Sequence, residues 1–199
     1  RLYGIHTREI PLDADFGICI DDYLAQRVNG GIIFPNPNAP TGMALPLADI
    51  ERLLQANTDS VVVIDEAYVD FGAESAATLI DRYPQLLVVC TLSKAWALAG
   101  LRVGWGYAPA HVIDAIERVR MPFNVNLTAQ AVAIAALEDD AFTDESLAHN
   151  DRELARLVAG LKALGLEVID GVGATLATVI VCSTVVAPPS SSATVRRTS

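Results

Sequence analysis

Short apolar segments and segments with helical spacing alternate along most of the chain. The apolar segments are rich in β-branched residues, which indicates strands buried within a sheet. Between them, apolar positions recur three or four residues apart, as on one side of a helix. This alternation predicts an α/β fold with a mostly parallel sheet covered by helices. One short strand is predicted directly after Gly31, and three more cover residues 61–64, 86–90 and 103–107. The predicted helices cover residues 47–55, 76–83, 109–119, 128–137 and 145–164.

Two of the predicted helices differ in the surface that they present. Residues 128–137 are rich in alanine and apolar throughout, so we expect this helix to be packed on both sides. Residues 145–164 mix charged residues with leucine and valine at helical spacing. That pattern is typical of an amphipathic helix with one solvated face.

An acidic pair follows the predicted strand at residues 61–64. Asp65 and Glu66 stand where that strand ends, and ligand sites in open α/β sheets lie at the carboxyl ends of strands. A carboxylate beside an apolar sheet is costly unless it has a cationic partner. A pyridinium nitrogen would be such a partner, because the carboxylate would keep it protonated and able to withdraw electrons. Tyr68 could then donate a hydrogen bond to a phenolic oxygen of the same ring.

A lysine lies in a small, hydroxyl-rich loop after the predicted strand at residues 86–90. It is Lys94, one of only two lysines in the chain, and Thr91 and Ser93 flank it. A lysine amine is nucleophilic only when deprotonated, a state that a neighbouring cation such as Arg102 favours. The planar guanidinium of Arg102 is also well suited to holding a phosphate. The loop is therefore a candidate site for a Schiff-base lysine, whereas the other lysine lies in an ordinary amphipathic helix.

Three segments, taken together, resemble the aspartate-aminotransferase superfamily of pyridoxal-phosphate enzymes. They are PNPNAPTG at residues 35–42, DEAY at residues 65–68 and TLSKAWALAGLRVGW at residues 91–105. Within that superfamily, the AGLRVG continuation and RMPFNVN at residues 120–126 most resemble the histidinol-phosphate aminotransferase family. Each motif alone would be a weak signal, so the resemblance rests on their order and separation. It runs from about Leu2 to about Gly173.

The resemblance implies pyridoxal 5'-phosphate as cofactor and a role for each matching residue. Lys94 would form the Schiff base with the cofactor and move a proton between the substrate Cα and the cofactor as general base and acid. Asp65 would pair with the pyridine nitrogen, and Tyr68 would bond the ring hydroxyl oxygen. The cofactor phosphate would be bound by Thr91, Ser93 and Arg102.

The chain departs from the family pattern at one binding position. The family usually has an asparagine immediately before Pro-Thr-Gly, where it bonds the ring oxygen of the cofactor. Here that position is Ala39, and an asparagine stands one place earlier, at Asn38. We therefore expect Asn38 to be the substitute, while Pro40 and Gly42 serve as turn-forming residues.

Composition limits the function classes further. The formal net charge of -10 and the sequence pI near 4.6 argue against a nucleic-acid or anionic-membrane surface. The cysteines, Cys19, Cys90 and Cys182, are odd in number, far apart and without metal-ligand spacing, which indicates buried thiols of a reducing compartment. No apolar stretch reaches the ~20 residues that a membrane helix needs. We expect a cytoplasmic protein without a metal site.

The resemblance also implies a division into domains within the fold type I architecture. Residues 1–145 would form a three-layer α/β/α large domain, N-terminally incomplete, and residues 146–199 would begin a small C-terminal α+β domain. From about residue 174 the composition changes, with no acidic residue and no lysine, and Ser, Thr, Val, Ala and Pro dominate. We expect an aberrant or disordered tail there, and we interpret the chain as a fragment of a longer protein.

Two classes of function remain after these observations. The first is transamination between L-histidinol phosphate and 2-oxoglutarate by a homodimeric parent enzyme, with aromatic or aspartate transamination and threonine-phosphate decarboxylation as related alternatives. The second is a non-catalytic or truncated protein with the same fold. Intact Lys94, Asp65, Tyr68 and Arg102 favour the enzyme, and the unusual tail favours the second class.

Overall fold

A mixed four-stranded sheet organises the part of the chain that the computed structural model describes, which is residues 4–26, 28–169, 171 and 181–182. Neighbouring strands follow the chain order, β1-β2-β3-β4, with the first two pairs parallel and the last antiparallel. The predicted α/β fold with a mostly parallel sheet is confirmed. The strands are β1 Ile32–Pro35, β2 Val62–Asp65, β3 Leu86–Thr91 and β4 Gly104–Tyr107.

Helices connect the strands, and further helices come after the last strand of the sheet. The predicted helices at residues 47–55 and 109–119 agree with the structure to within one residue. A short antiparallel pair of strands forms a second sheet. The helices are α1 Ile20–Leu24, α2 Leu47–Ala56, α3 Ala110–Val119, α4 Leu127–Leu137 and α5 Asp140–Ala163, and the small pair consists of β5 Glu167–Val168 and β6 Val181–Cys182. Short 3₁₀ helices cover Val69–Phe71, Ala76–Leu79 and Ala99–Leu101.

Helix α2 shows why this sequence folds onto the sheet. Ile50, Leu53 and Leu54 fall three and four residues apart and are all 0% exposed, so one stripe of the helix is buried. Pro46 stands at the helix start, where its missing N–H costs nothing. Burial of each of these three side chains contributes about 1.5–3 kcal/mol. The stripe packs into the core between the helix and the sheet.

The two faces of the sheet are unequal. Side chains alternate between the faces along each strand, and in β1 Ile32 and Phe34 are buried while Ile33 is 71% exposed. The buried face packs against α1, α2 and the 3₁₀ helix Ala76–Leu79. The opposite face carries Ile33 together with the half-buried Val63, Leu87 and Val89, and in the described part of the chain it is the more exposed of the two, so we call it the open face. This open face leaves the polar side chains at the strand ends accessible.

Two predicted elements differ from the structure. The predicted helix at residues 76–83 is only the 3₁₀ helix Ala76–Leu79, because Pro84 disfavours helical geometry at the residue before it. Helix α4 was expected to be packed on both sides, but among the described residues that expectation is wrong. Its small residues Ala129 and Ala133 are buried, while Leu127 is 81% exposed.

The C-terminal part bears on the domain prediction. Helix α5 begins at Asp140, five residues before its predicted start, and Asp139 caps it by accepting a hydrogen bond from the Phe142 amide at 3.1 Å. The helix runs without interruption through residue 145, so the predicted domain boundary would fall within it; that boundary stays a prediction. The predicted tail after residue 174 lies outside the described residues except for β6. Among the described residues, no helix is long and apolar enough to cross a membrane.

Candidate functional site

A pocket of about 330 Å³ opens on the open face of the sheet, at the carboxyl ends of the parallel strands. Most of its lining side chains belong to the face that carries Ile33. Four of the seven predicted site residues line it: Asp65, Thr91, Ser93 and Arg102. The other three, Asn38, Tyr68 and Lys94, do not line it. The structure therefore brings together a carboxylate, two hydroxyls and a guanidinium from separate segments.

Asp65 is the last residue of β2 and contributes the carboxylate. Its Oδ1 accepts a hydrogen bond from the Ala67 amide at 3.0 Å, which fixes the orientation of the carboxylate group. No hydrogen bond to Oδ2 is formed by the described residues, so this oxygen is available to a ligand. A carboxylate held in this way can accept an N–H from a cationic ring.

The two hydroxyls form a tight turn at the end of β3. The Ser93 amide donates to Thr91 Oγ1 at 3.1 Å, and the two hydroxyl oxygens lie 2.9 Å apart. Buried Leu92 and Ala95 hold the loop from below, and the Leu92 amide donates to the carbonyl oxygen of Val103. The sequence thus alternates buried apolar residues with polar residues that face the pocket.

Arg102 reaches the pocket from an unusual backbone conformation. It follows the 3₁₀ helix Ala99–Leu101 with φ 56° and ψ 40°, in the left-handed region that non-glycine residues rarely adopt. One of its guanidinium nitrogens donates to the carbonyl oxygen of Ala99 at 3.0 Å, which leaves further donors of the group for an anion. Strained backbone of this kind is typical of residues that the surrounding structure holds for a function.

Lys94 and Tyr68 lie together beside the pocket. The Lys94 Nζ stands 4.9 Å from the centroid of the Tyr68 ring, a cation–π distance. The Lys94 side chain is exposed, and its carbonyl oxygen accepts from the Ala97 amide at 2.9 Å. Lys94 directly follows Ser93, which lines the pocket.

Asn38 holds its own loop in this structure. Its side-chain amide donates to Thr41 Oγ1 at 2.8 Å, and the side chain is largely buried. Asn36, in the same loop, exchanges two hydrogen bonds with the backbone of Leu45. The predicted contact of Asn38 with the cofactor ring stays a prediction.

Sequence reasoning missed several residues that line the pocket. Ala67 and Cys90 are among them, and they follow or flank predicted site residues in the chain. Burial raises the pKa of the Cys90 thiol to about 12, and the negative charges of Glu66, Asp70 and Asp65 add to this effect. Cys90 therefore stays protonated at neutral pH and forms part of the pocket wall. Its position immediately before Thr91 was the only signal in the sequence.

Gly104 was also missed, although its role has a clear physical cause. It pairs with Thr91 across β3 and β4, and a Cβ at this position would lie 2.7 Å from the Cys90 carbonyl oxygen. A side chain there would push the two strands apart. The alternation of glycines at positions 104 and 106 in β4 was the available signal.

We expect Gly104→Ala to lower the free energy of unfolding by about 1–3 kcal/mol, as overpacking typically does. The matched control is Gly106→Ala, where the added Cβ would meet the mobile end of Leu87, Cδ1, at 3.2 Å. Urea denaturation of both variants measures the difference. An equal loss in the two variants would contradict the importance of the close approach at Gly104.

The charges of the pocket fit the predicted cofactor. Asp65 supplies a negative charge that suits a pyridinium nitrogen, whereas Thr91, Ser93 and Arg102 supply hydroxyl and guanidinium donors that suit a phosphate. Two backbone-ordered segments, the turn after β2 and the loop after β3, present these groups to the same pocket. A lysine amine stands at its edge, 4.9 Å from the Tyr68 ring centroid.

This fold and this arrangement of groups belong to a known class of enzymes. The model of the family "Aminotransferase class I and II" matches residues 1–193, and the chain belongs to that family. The family match extends to residue 193, whereas the curated relatives align over 171 or 172 residues, about 85% of the chain, as expected for a resemblance from about Leu2 to about Gly173. The fold is the α/β architecture of the pyridoxal-phosphate-dependent transferases of fold type I.

Two curated relatives share one name. The chain is 56% identical over 171 residues to histidinol-phosphate aminotransferase 2 of Thiobacillus denitrificans, covering 84% of this chain and 47% of the relative. It is 54% identical over 172 residues to histidinol-phosphate aminotransferase 2 of Burkholderia lata, covering 85% and 48%. The chain thus spans about half the length of these relatives.

A solved structure agrees with these relatives. The histidinol-phosphate aminotransferase of Sinorhizobium meliloti, solved in complex with pyridoxal-5'-phosphate, superposes with a TM-score of 0.73 at 25% identity. The match covers 82% of this chain and 46% of that chain.

Proposed function

We propose that this chain carries the lysine and much of the cofactor site of a histidinol-phosphate aminotransferase. The observation that carries the proposal is the pocket lined by Asp65, Arg102, Thr91 and Ser93, the last of which directly precedes Lys94 in the chain. When bound, pyridoxal phosphate supplies an aldehyde for amines and a ring that withdraws electrons. The relatives named histidinol-phosphate aminotransferase support the choice of activity.

The binding residues have separate tasks in this proposal. Asp65 accepts the ring N–H through Oδ2, because its Oδ1 already accepts from the Ala67 amide. Thr91, Ser93 and Arg102 donate to the phosphate, an anion that a guanidinium can bind by two parallel hydrogen bonds. This places opposite charges at opposite ends of the ligand, which determines its orientation in the pocket.

The reacting residue is Lys94. Its Nζ would hold the cofactor through the aldehyde group, and as general base and acid it would take a proton from the substrate Cα and return it. The centroid of the Tyr68 ring lies 4.9 Å from the Lys94 Nζ. We propose that the Tyr68 hydroxyl and the Asn38 side chain also bond the cofactor ring oxygen. Lys94 must leave the Tyr68 ring face to reach the pocket.

The net reaction transfers an amino group between two carbon skeletons. L-Histidinol phosphate and 2-oxoglutarate give imidazole-acetol phosphate and L-glutamate, so the amino group lost by the donor is gained by the acceptor and no external oxidant is needed. Both substrates are anionic. We further propose that the parent enzyme is a cytoplasmic homodimer.

An amino-donor comparison tests this function. The purified chain is mixed with pyridoxal phosphate, and the visible absorbance of the cofactor bound to the lysine is followed after each donor is added. We expect L-histidinol phosphate to remove this absorbance faster than L-aspartate, L-phenylalanine or O-phospho-L-threonine. A preference for aspartate or phenylalanine would favour another aminotransferase, and release of carbon dioxide from phosphothreonine would favour a decarboxylase. Absence of bound cofactor would favour the non-catalytic class.

A further inference from the structure

Glu66 is a buried carboxylate that no predicted role explains. It stands between Asp65 and Ala67, which both line the pocket, but its own side chain points to the opposite face of the sheet and is 1% exposed. Its backbone amide donates to the carbonyl oxygen of Val89 at 2.8 Å, which continues the pairing of β2 with β3. Glu66 is therefore the point at which the pocket wall is joined to the core.

Both carboxylate oxygens of Glu66 are bonded to one element. Oε1 accepts from the Ala76 amide at 2.6 Å, and Oε2 accepts from the Ser75 hydroxyl at 2.6 Å. Ser75 and Ala76 form the start of the 3₁₀ helix Ala76–Leu79, which packs in the core. Burial raises the pKa of Glu66, and these two hydrogen bonds lower it in part. A two-point attachment of this kind resists rotation of the strand end.

The attachment continues to the ligand side of the sheet. The Ala67 amide, one residue after Glu66, donates to Asp65 Oδ1 at 3.0 Å and so orients the carboxylate in the pocket. Glu66 lies between the acceptor and the donor of this bond in the chain, so a change in its backbone conformation would change the distance between them. Groups that bind a ligand keep their geometry only when neighbouring hydrogen bonds hold them.

We propose that Glu66 is a positioning residue of the cofactor site, and that its bonds to Ser75 and Ala76 hold the Asp65–Ala67 turn in its binding geometry. The effect on the cofactor rests on the proposed function, whereas the effect on the turn does not. The bonds carry this role, and the charge of Glu66 does not. Glutamine has the same shape as glutamate and can form hydrogen bonds with both Ser75 and Ala76. We therefore expect Glu66→Gln to keep the geometry of the turn and Glu66→Ala to lose it.

The first measurement uses the chain without cofactor. Amide hydrogen exchange is followed by NMR at Ala67, with Ile64 in the middle of β2 as an internal reference. We expect Glu66→Ala to accelerate exchange at Ala67 about tenfold without changing Ile64, and Glu66→Gln to leave both near wild type. Equal acceleration at Ala67 and Ile64 would mean general destabilisation and would overturn the proposal. Acceleration in Glu66→Gln equal to that in Glu66→Ala would also overturn it.

A second variant guards against a failure of Glu66→Ala to fold. Ser75→Ala removes one of the two bonds, together with the cap bond that the Ala77 amide donates to the Ser75 hydroxyl at 3.1 Å, and is expected to give a smaller acceleration at Ala67. Thr78→Ala is the matched control, because Thr78 donates to the Ser75 carbonyl oxygen at 3.1 Å in the same 3₁₀ helix without contacting Glu66. An effect of Thr78→Ala as large as that of Ser75→Ala would contradict the proposal.

The second measurement is the dissociation constant of pyridoxal phosphate, by equilibrium dialysis of the same variants at a temperature where each is folded. We expect Glu66→Ala to bind about tenfold more weakly and Glu66→Gln within about twofold of wild type. Wild-type affinity in folded Glu66→Ala would overturn the link to the cofactor. If the wild-type chain itself does not bind the cofactor, the proposed function fails, and the exchange at Ala67 still decides whether Glu66 positions the turn.

Discussion

Replacement of Lys94 by alanine is expected to abolish the borohydride-stable attachment of pyridoxal phosphate to this chain. Lys94 lies next to Ser93 in the pocket loop, and its Nζ is 4.9 Å from the Tyr68 ring centroid. Alanine removes the amine that bonds the cofactor aldehyde, so no reducible bond can form at this position. The measurement is reduction with borohydride followed by peptide mapping by mass spectrometry.

The matched control for this prediction is Lys162→Ala. Lys162 is the other lysine of the chain and lies near the end of α5, outside the pocket lining. This variant should carry the same label on Lys94 as the wild-type chain. Label that persists in Lys94→Ala, or that falls equally on both lysines in the wild type, would show that the amine is not selected by the site.

The second large effect is expected from Asp65→Asn. Asparagine keeps the size of the side chain and can still accept the Ala67 amide through its oxygen, but it presents no negative charge to the ring nitrogen. Hydrogen bonds to charged groups are worth about 1.5–3 kcal/mol, so we expect the affinity for pyridoxal phosphate to fall between about tenfold and a hundredfold. Equilibrium dialysis measures the affinity, and the rate of a single turnover with L-histidinol phosphate gives a second value.

Asp70→Asn is the control for the loss of charge. Asp70 lies in the 3₁₀ helix Val69–Phe71, and burial raises its pKa, but its side chain does not line the pocket. We expect its replacement to change the affinity by less than about threefold, because Asp70 lies outside the pocket lining and its carboxylate forms no bond with a ligand there. An equal loss in both variants would mean that Asp65 acts only through the general negative field.

Much of the sheet could be predicted because each strand carries a local signal. The β-branched run before Asp65 and the apolar run before Thr91 mark β2 and β3, and polar residues directly after them mark the binding edge. Parallel pairing then brings these strand ends together, since neighbouring parallel strands end at the same edge. The pocket residues Asp65, Thr91 and Ser93 were predictable for this reason, whereas Arg102 was predictable only from its motif after Lys94.

Other features depend on contacts that no local pattern records. The close approach of Gly104 to the Cys90 carbonyl oxygen depends on the antiparallel register of β4, and the left-handed backbone of Arg102 depends on how the loop closes. In the sequence, Glu66 is the second residue of an acidic pair with Asp65. Its hydrogen bonds to Ser75 and Ala76 in the structure show that it faces the core instead of the pocket. Such contacts arise between segments, so periodicity cannot reveal them.

Helix packing was the least predictable part. An apolar composition in α4 predicted burial on both sides, yet in the described part of the chain Ile134 remains 58% exposed. Composition shows which surface would gain free energy by burial, but it does not show which neighbour covers it. The same limit applies to Ile33 on the open face of the sheet.

That open face has a kinetic consequence for any molecule held at the strand ends. A ligand in this pocket rests on the sheet on one side, and in the described part of the chain Ile33 beside it is 71% exposed, so bulk water reaches the opposite side. Bonds between an aldehyde and an amine hydrolyse readily when water has access. The half-life of the adduct with Lys94 should therefore be short in this chain, and the yield of trapped product should rise with the speed of reductant addition.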